Sequence, residues 1–160
     1  VFDEIGYKIK PLDLQAAIGL EQIHKLDDLH AGRKRNFEAL NEIFAPYEEY
    51  MYLPKATEKA DPSWFAFLMT IKPGAPFDRL DFVSHFEAAK IQTRSYFSGN
   101  ILYHPGYRHL AKQYDNLSER FPVAHLVTTN SMFLGTYSGI TREKLSYIKD
   151  VADHFFGNIK

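Results

Sequence analysis

The 160 residues include no cysteine. That excludes a disulfide framework, a thiol nucleophile and any cysteine-held zinc or iron–sulfur centre within them. No apolar run approaches the roughly 20 residues that cross a bilayer, and no segment has the pattern of a signal peptide, so a cytoplasmic protein that does not enter the membrane is expected. Charge of one sign is also lacking. Lysine and arginine number 19 against 20 aspartates and glutamates, a formal net charge of −1 with the signs interspersed. A nucleic-acid binder would need a clustered basic surface, so any recognition of phosphate must be local.

What is present is apolar material: 45% of residues are hydrophobic and 15% aromatic, enough for one domain with a proper core. No repeat and no linker divides the chain, and a single domain over residues 1–160 is expected. From Leu12, the stripe Ala16, Leu20, Ile23, Leu26, Leu29, Phe37, Leu40 and Phe44 keeps three-and-four spacing, so one long helix or two in tandem should be followed by a stop at Pro46. Residues 47–62 read as a loop with a short extended piece near Tyr50 to Leu53. Ser63 to Lys72 is apolar on both faces and reads as a strand covered on both sides. Asp78 and Asp81 introduce a helix that buries Phe82, Val83, Phe86 and Ala89, and a short strand from Ile91 to Ser95 follows. After a loop from Phe97 to Tyr107, Pro122 opens a helix through Thr129, and Met132 to Tyr137 forms another strand. Thr141 caps a last helix with the stripe Leu145, Ile148, Ala152 and Phe155 and a stop at Gly157. The fold class is α/β in the two-layer α+β sense, a small, mostly antiparallel sheet flanked by helices and preceded by a long helix.

Two stretches carry chemistry. In Gly6-Tyr7-Lys8-Ile9-Lys10-Pro11-Leu12-Asp13, Pro11 suits a first helical position, Asp13 suits the first turn, and Lys8 and Lys10 lie just outside. Free helix N–H groups beside two ammonium groups suit a phosphate or a carboxylate, although lysines before a helix are ordinarily solvated surface charges. The second stretch, Thr93 to Tyr107, gathers Arg94, Ser98, Asn100, His104 and Tyr107 around Gly99 and Pro105. A guanidinium there would clamp a diphosphate or a pair of sugar hydroxyls, and the Asn100 amide would both donate to and accept from sugar oxygens. The alternative is that Ser98 and Asn100 close local turns while His104 and Tyr107 cover an apolar edge.

The other polar groups have plainer readings. His104 and His109 are five apart without a companion ligand, so no metal is expected. Asp150 and His154 have the spacing of an ordinary exposed acid–base pair. Arg33-Lys34-Arg35 reads as a solvated helix face, and Trp64 as a core residue.

The first run resembles the Gly-Tyr-Asn-x-Lys/Arg-Pro/Met-x-Asp/Glu-x-Gln-Ala-Ala-x-Gly block of the DegT/DnrJ/StrS group of nucleotide-sugar aminotransferases and dehydratases. Ser63-Trp64-Phe65, Lys90-Ile91-Gln92-Thr93-Arg94, Phe97-Ser98-Gly99-Asn100-Ile101-Leu102 and His104-Pro105-Gly106-Tyr107 follow in the order found in its 3-dehydratase branch. Within that branch the chain is most similar to the CDP-4-keto-6-deoxy-D-glucose 3-dehydratases of lipopolysaccharide dideoxyhexose biosynthesis. The resemblance covers essentially the whole chain. It implies the small C-terminal domain of a fold-type I transferase that uses pyridoxal 5'-phosphate or pyridoxamine 5'-phosphate, with a nucleotide-sugar substrate. It also implies a homodimer formed through the N-terminal region, and leaves open a reductase partner.

By that resemblance Tyr7, Lys8 and Lys10 serve the cofactor phosphate of the neighbouring subunit, and Arg94, Ser98, Asn100, His104 and Tyr107 position the substrate. No catalytic residue falls in this chain. With no initiating methionine and an abrupt start at Val1, the chain is expected to be a fragment, inactive alone, whose large cofactor-binding domain lies upstream. Three departures stand out. Lys8 replaces the usual Asn and is a long point charge instead of a short amide, Lys10 gives up the bidentate geometry of Arg, and Ser95-Tyr96-Phe97 follows Arg94 where other dehydratases carry small aliphatic residues.

Overall fold

The computed structural model describes residues 11–159. Two helices in tandem open it. Helix α1 runs Asp13–Ile23 and helix α2 runs Leu26–Phe44, separated by a turn at His24 and Lys25. Pro11 is not the first helical residue as expected. It precedes the N-cap residue Leu12, whose amide donates to the Gln15 side chain at 3.0 Å. The expected buried stripe holds only for the second half of α2. There Phe37, Leu40 and Phe44 are in the core, whereas Leu20, Ile23 and Leu26 are 60%, 67% and 60% exposed, and no α1 residue is buried. Spacing creates an apolar face, but only a neighbour can cover it.

Four strands make one antiparallel sheet in the order β1-β2-β4-β3: β1 Met51–Tyr52, β2 Ala66–Ile71, β3 Arg94–Ser95 and β4 Ser131–Gly135. The strands are shorter than the sequence suggests, because pairing partners run out before the apolar runs do. Register sorts the faces. Phe67 opposite Leu134 and Met69 opposite Met132 point into the core, and Leu68 opposite Phe133 points to the other side.

Against the core face lie α2, helix α3 (Arg79–Ala88) and helix α7 (Arg142–Gly157). Their aromatic rings interlock. Phe44 sits 5.7 Å from Phe67, Phe82 stacks on Phe86 at 4.2 Å, and Tyr47 stacks on Phe156 at 3.8 Å. Each fully buried ring contributes about 1.5–3 kcal/mol over leaving it in water. Helix α6 (Pro122–Asn130) opens with its proline at the first position, as expected, and packs on the outer face of β2 and β4. There Thr70 and Ser131 share a hydroxyl hydrogen bond of 2.7 Å, so β2 is covered on both sides.

Caps hold the helix starts. The Asp78 carboxylate accepts from the Asp81 amide at 2.9 Å, and Thr141 accepts from the Lys144 amide at 3.4 Å. Two short helices, α4 (Arg108–Ala111) and α5 (Leu117–Arg120), occupy a stretch in which the sequence shows no element. They have no buried residue and hence no periodic signal. Among the described residues no helix is long and apolar enough to cross a membrane.

Candidate functional site

The loop after β3 is anchored at both ends. Helix α3 ends with Lys90 in the left-handed region (φ 62°). The Lys90 amide donates to the Glu87 carbonyl at 3.0 Å and the Ile91 amide to the Phe86 carbonyl at 2.9 Å, a double closure of the helix end. The Glu87 carboxylate then accepts from the Thr93 amide at 2.5 Å and its hydroxyl at 2.8 Å. These two bonds, the amide first, hold the carboxyl below its ordinary range, and they set the backbone from which Arg94 projects.

Beyond Arg94 the chain makes two unusual turns, Phe97 (φ 48°) and Gly99 (φ 56°). Gly99 lies so close to α6 that an added Cβ would sit 2.4 Å from Thr128 Oγ1 and 2.8 Å from its Cα. The next amide, Asn100, donates to Thr128 Oγ1 at 2.7 Å, and that hydroxyl donates to the Ala124 carbonyl at 2.6 Å. Asn100 is buried, and its Oδ1 accepts from the Leu102 amide at 3.1 Å, while its Nδ2 has no partner among the described residues. His104 Nε2 donates to the Ser98 carbonyl at 2.8 Å and closes the loop, and Tyr103 shares a 2.8 Å hydrogen bond with His125. The expected loop from Phe97 to Tyr107 is a braced one, with 3-10 turns at Ile101–Tyr103 and Pro105–Tyr107.

The predicted substrate residues thus divide. His104 is tied to Ser98, and Asn100 to α6. Tyr107 is partly exposed at the end of the second turn. Arg94 stands on the sheet edge opposite Phe133, and its side chain makes no hydrogen bond or ion pair among the described residues. It borders two clefts. The larger, about 580 Å³, mixes Arg79 and Lys72 with Asp78 and Glu87. The smaller, about 260 Å³, is lined by Arg33, Phe65, Gln92, Phe133 and Tyr137 with Arg94. Beside it Phe65, Phe97 and Phe133 form a three-ring cluster with centroids 5.9–6.2 Å apart, of which Phe65 and Phe97 are largely exposed.

Arg33 differs from the solvated-face reading given to Arg33-Lys34-Arg35. Its Nη1 donates to the Trp64 and Phe65 carbonyls, both at 3.3 Å, and Lys34 pairs with Asp61, whose carboxyl is lowered by that contact. The signal for Arg33 lay in the spacing: it precedes Phe37 by four and Leu40 by seven, on the apolar face of α2. Trp64 is half-buried and stacks on Phe37 at 4.2 Å, which places the neighbouring Phe65 at the cleft. On α7, Lys149 and not His154 supplies the ion pair, joining Asp153 at 2.5 Å, while the His154 ring stacks on that of His85 at 5.4 Å. Tyr7, Lys8 and Lys10 lie outside the described residues.

A small antiparallel sheet with helices on both faces is a fold found in solved enzymes that hold pyridoxal phosphate. A solved GDP-4-keto-6-deoxymannose-3-dehydratase with a trapped PLP-glutamate geminal diamine shares it, with a TM-score of 0.76 and 25% identity over 95% of this chain and 38% of that one. The chain belongs to the DegT/DnrJ/EryC1/StrS aminotransferase family, whose model it matches over residues 1–152. It is 34% identical over 156 residues to the lipopolysaccharide biosynthesis protein RfbH of Salmonella typhimurium, covering 98% of this chain and 35% of that protein. It is also 34% identical over 154 residues to a dTDP-4-dehydro-2,6-dideoxy-D-glucose 3-dehydratase of Saccharopolyspora spinosa, covering 96% of this chain and 32% of that enzyme. The chain spans about a third of the length of these relatives.

Proposed function

We propose that this chain is the C-terminal domain of a pyridoxal-phosphate-dependent nucleotide-sugar 3-dehydratase acting on a 4-keto-6-deoxyhexose in lipopolysaccharide O-antigen biosynthesis, and that the whole protein is a cytoplasmic homodimer. The observation that carries this reading is the near-complete coverage of the chain at 34% identity by a 3-dehydratase. The domain is one piece of the enzyme and is inactive alone. A reductase partner enters where the reaction sequence must also be supplied with electrons.

The described residues fit the substrate side of such an enzyme. Arg94 is an uncommitted guanidinium on β3, at the start of a loop fastened to α6 by the Asn100 amide, and Phe65 and Phe133 line the cleft it borders. Ser98, Asn100 and His104 position that loop, and Tyr107 borders it. The cofactor phosphate falls to Tyr7, Lys8 and Lys10. The bound cofactor supplies an electron sink for breaking bonds next to the sugar ketone. This chain's part is to bind the nucleotide sugar and keep its orientation while that happens. Dimerisation through the N-terminal region is supported by the uncovered apolar residues of α1, Leu14, Ile18, Leu20 and Ile23, each more than half exposed.

The test uses the full-length protein with a 4-keto-6-deoxy nucleotide sugar. Loss of the C3 hydroxyl, read by mass spectrometry, supports the dehydratase, whereas gain of a 4-amino group supports the rival aminotransferase that the family name favours. Arg94→Ala is expected to raise KM about 10- to 100-fold, in line with the loss of a charge-assisted contact. An unchanged kcat/KM would reject its role.

A further inference from the structure

The cleft bordered by Arg33 and Arg94 differs in charge from the larger cleft beside it. Asp78 and Glu87 balance Arg79 and Lys72 there. In the smaller cleft two arginines line the wall and no carboxylate does among the described residues. Two like charges on the wall of one cleft repel one another, a cost that an anion between them removes.

The Arg33 side chain is also directed. It comes from the apolar face of α2, and its Nη1 is held by the Trp64 and Phe65 carbonyls. That leaves Nη2 and Nε, whose donors match the two-oxygen fork of a carboxylate or phosphate. α2 is locked in place near it. An added Cβ on Gly32 would meet Ser138 Cβ at 2.5 Å, and Asn36 donates to the Tyr137 carbonyl at 2.7 Å. Tyr137 itself lines the cleft, so the fastening of α2 is also the fastening of the cleft wall.

Resting on the dehydratase reading above, we infer that Arg33 and Arg94 form a two-guanidinium clamp for an oxyanion of the reactants, with Phe65 and Phe133 flanking it. A volume of about 260 Å³ takes one oxyanion group with a ring beside it and not a whole nucleotide sugar. Two reactant groups share that chemistry, the diphosphate of the nucleotide sugar and the carboxylate of an amino-acid amine donor.

Isothermal titration of the full-length holoprotein with inorganic pyrophosphate, and separately with glutamate, tests the clamp without any turnover. The wild type is expected to bind one of the two anions at least about tenfold more tightly than Arg33→Gln and Arg94→Gln, with the difference shrinking as salt rises. Loss confined to pyrophosphate assigns the clamp to the diphosphate, and loss confined to glutamate assigns it to the donor carboxylate. Arg33→Lys keeps the charge without the fork and is expected to recover only part of the affinity. Arg94→Gln breaks no hydrogen bond among the described residues, so it remains informative should Arg33→Gln lower the melting temperature. Equal binding of both anions by the wild type and both Gln variants overturns the clamp. Absence of dehydration with the clamp intact overturns the reaction assignment alone.

Discussion

Replacing Gly99 with alanine probes the joint on which the whole loop depends. The residue has φ 56°, where an L side chain costs about 1–2 kcal/mol. Its new Cβ would also lie 2.4–2.8 Å from Thr128 Oγ1, Cα and Cβ. A rotamer change can move Oγ1 but not Cα, so the loop must lift from α6. Lifting breaks the 2.7 Å bond from the Asn100 amide to Thr128, a further loss of about 0.5–1.5 kcal/mol. The sum of about 1.5–3.5 kcal/mol corresponds to a roughly 10- to 300-fold larger open fraction of the loop. Native-state hydrogen exchange of the Asn100 amide should quicken by that factor, while core amides such as Phe67 and Met132 keep their protection. If the loop opens only with the whole domain, the melting temperature should instead fall by about 3–14 °C. Thr128→Val is the companion variant, removing the acceptor while keeping the shape, and should quicken the same amide. Unchanged Asn100 exchange together with an unchanged melting temperature in Gly99→Ala would refute the packing argument.

Two further outcomes follow from the packing and the pH behaviour. Phe67 is fully buried between Phe37 and Phe44, so Phe67→Ala should cost about 3–5 kcal/mol and lower the melting temperature by about 6–20 °C; a drop of under about 3 °C in calorimetry would contradict its place in the core. Glu87 has its carboxyl held below the ordinary value of 4.5 by Thr93, so its stabilisation is fully present above that value and is lost as pH falls through the lower folded value. Glu87→Gln keeps an acceptor for Thr93 but cannot titrate. Its unfolding midpoint should therefore vary less than the wild type's below about pH 4.5, and parallel midpoint curves would rule out the linkage.

Much of this could be read along the chain because the information was local. Asp78 and Thr141 as caps, Pro122 opening a helix, and the stripes of α2, α3 and α7 rest on hydrogen bonds and spacings within a few residues of one another. The motifs from Lys90 to Tyr107 likewise marked the loop before its shape was known. Strand lengths were less legible: β3 is two residues long, paired with Phe133 and Met132, and the Thr93 amide before it is taken by the distant Glu87 carboxylate. Helices α4 and α5 left no trace in the apolar pattern because they bury nothing.

By itself the sequence determined the class of fold, the family and the stretch that carries the site, since caps, periodicity and ordered motifs are properties of neighbouring residues. Tertiary structure decided the roles within that stretch. It turned Asn100 and His104 into braces, left Arg94 without a partner among the described residues, and brought Arg33 from a helix about 60 residues away into the same cleft. The physical reason is that a side chain's freedom to meet a ligand depends on which distant groups already occupy it. That is settled only when α2, the Trp64–Phe65 segment and α6 close around the sheet edge.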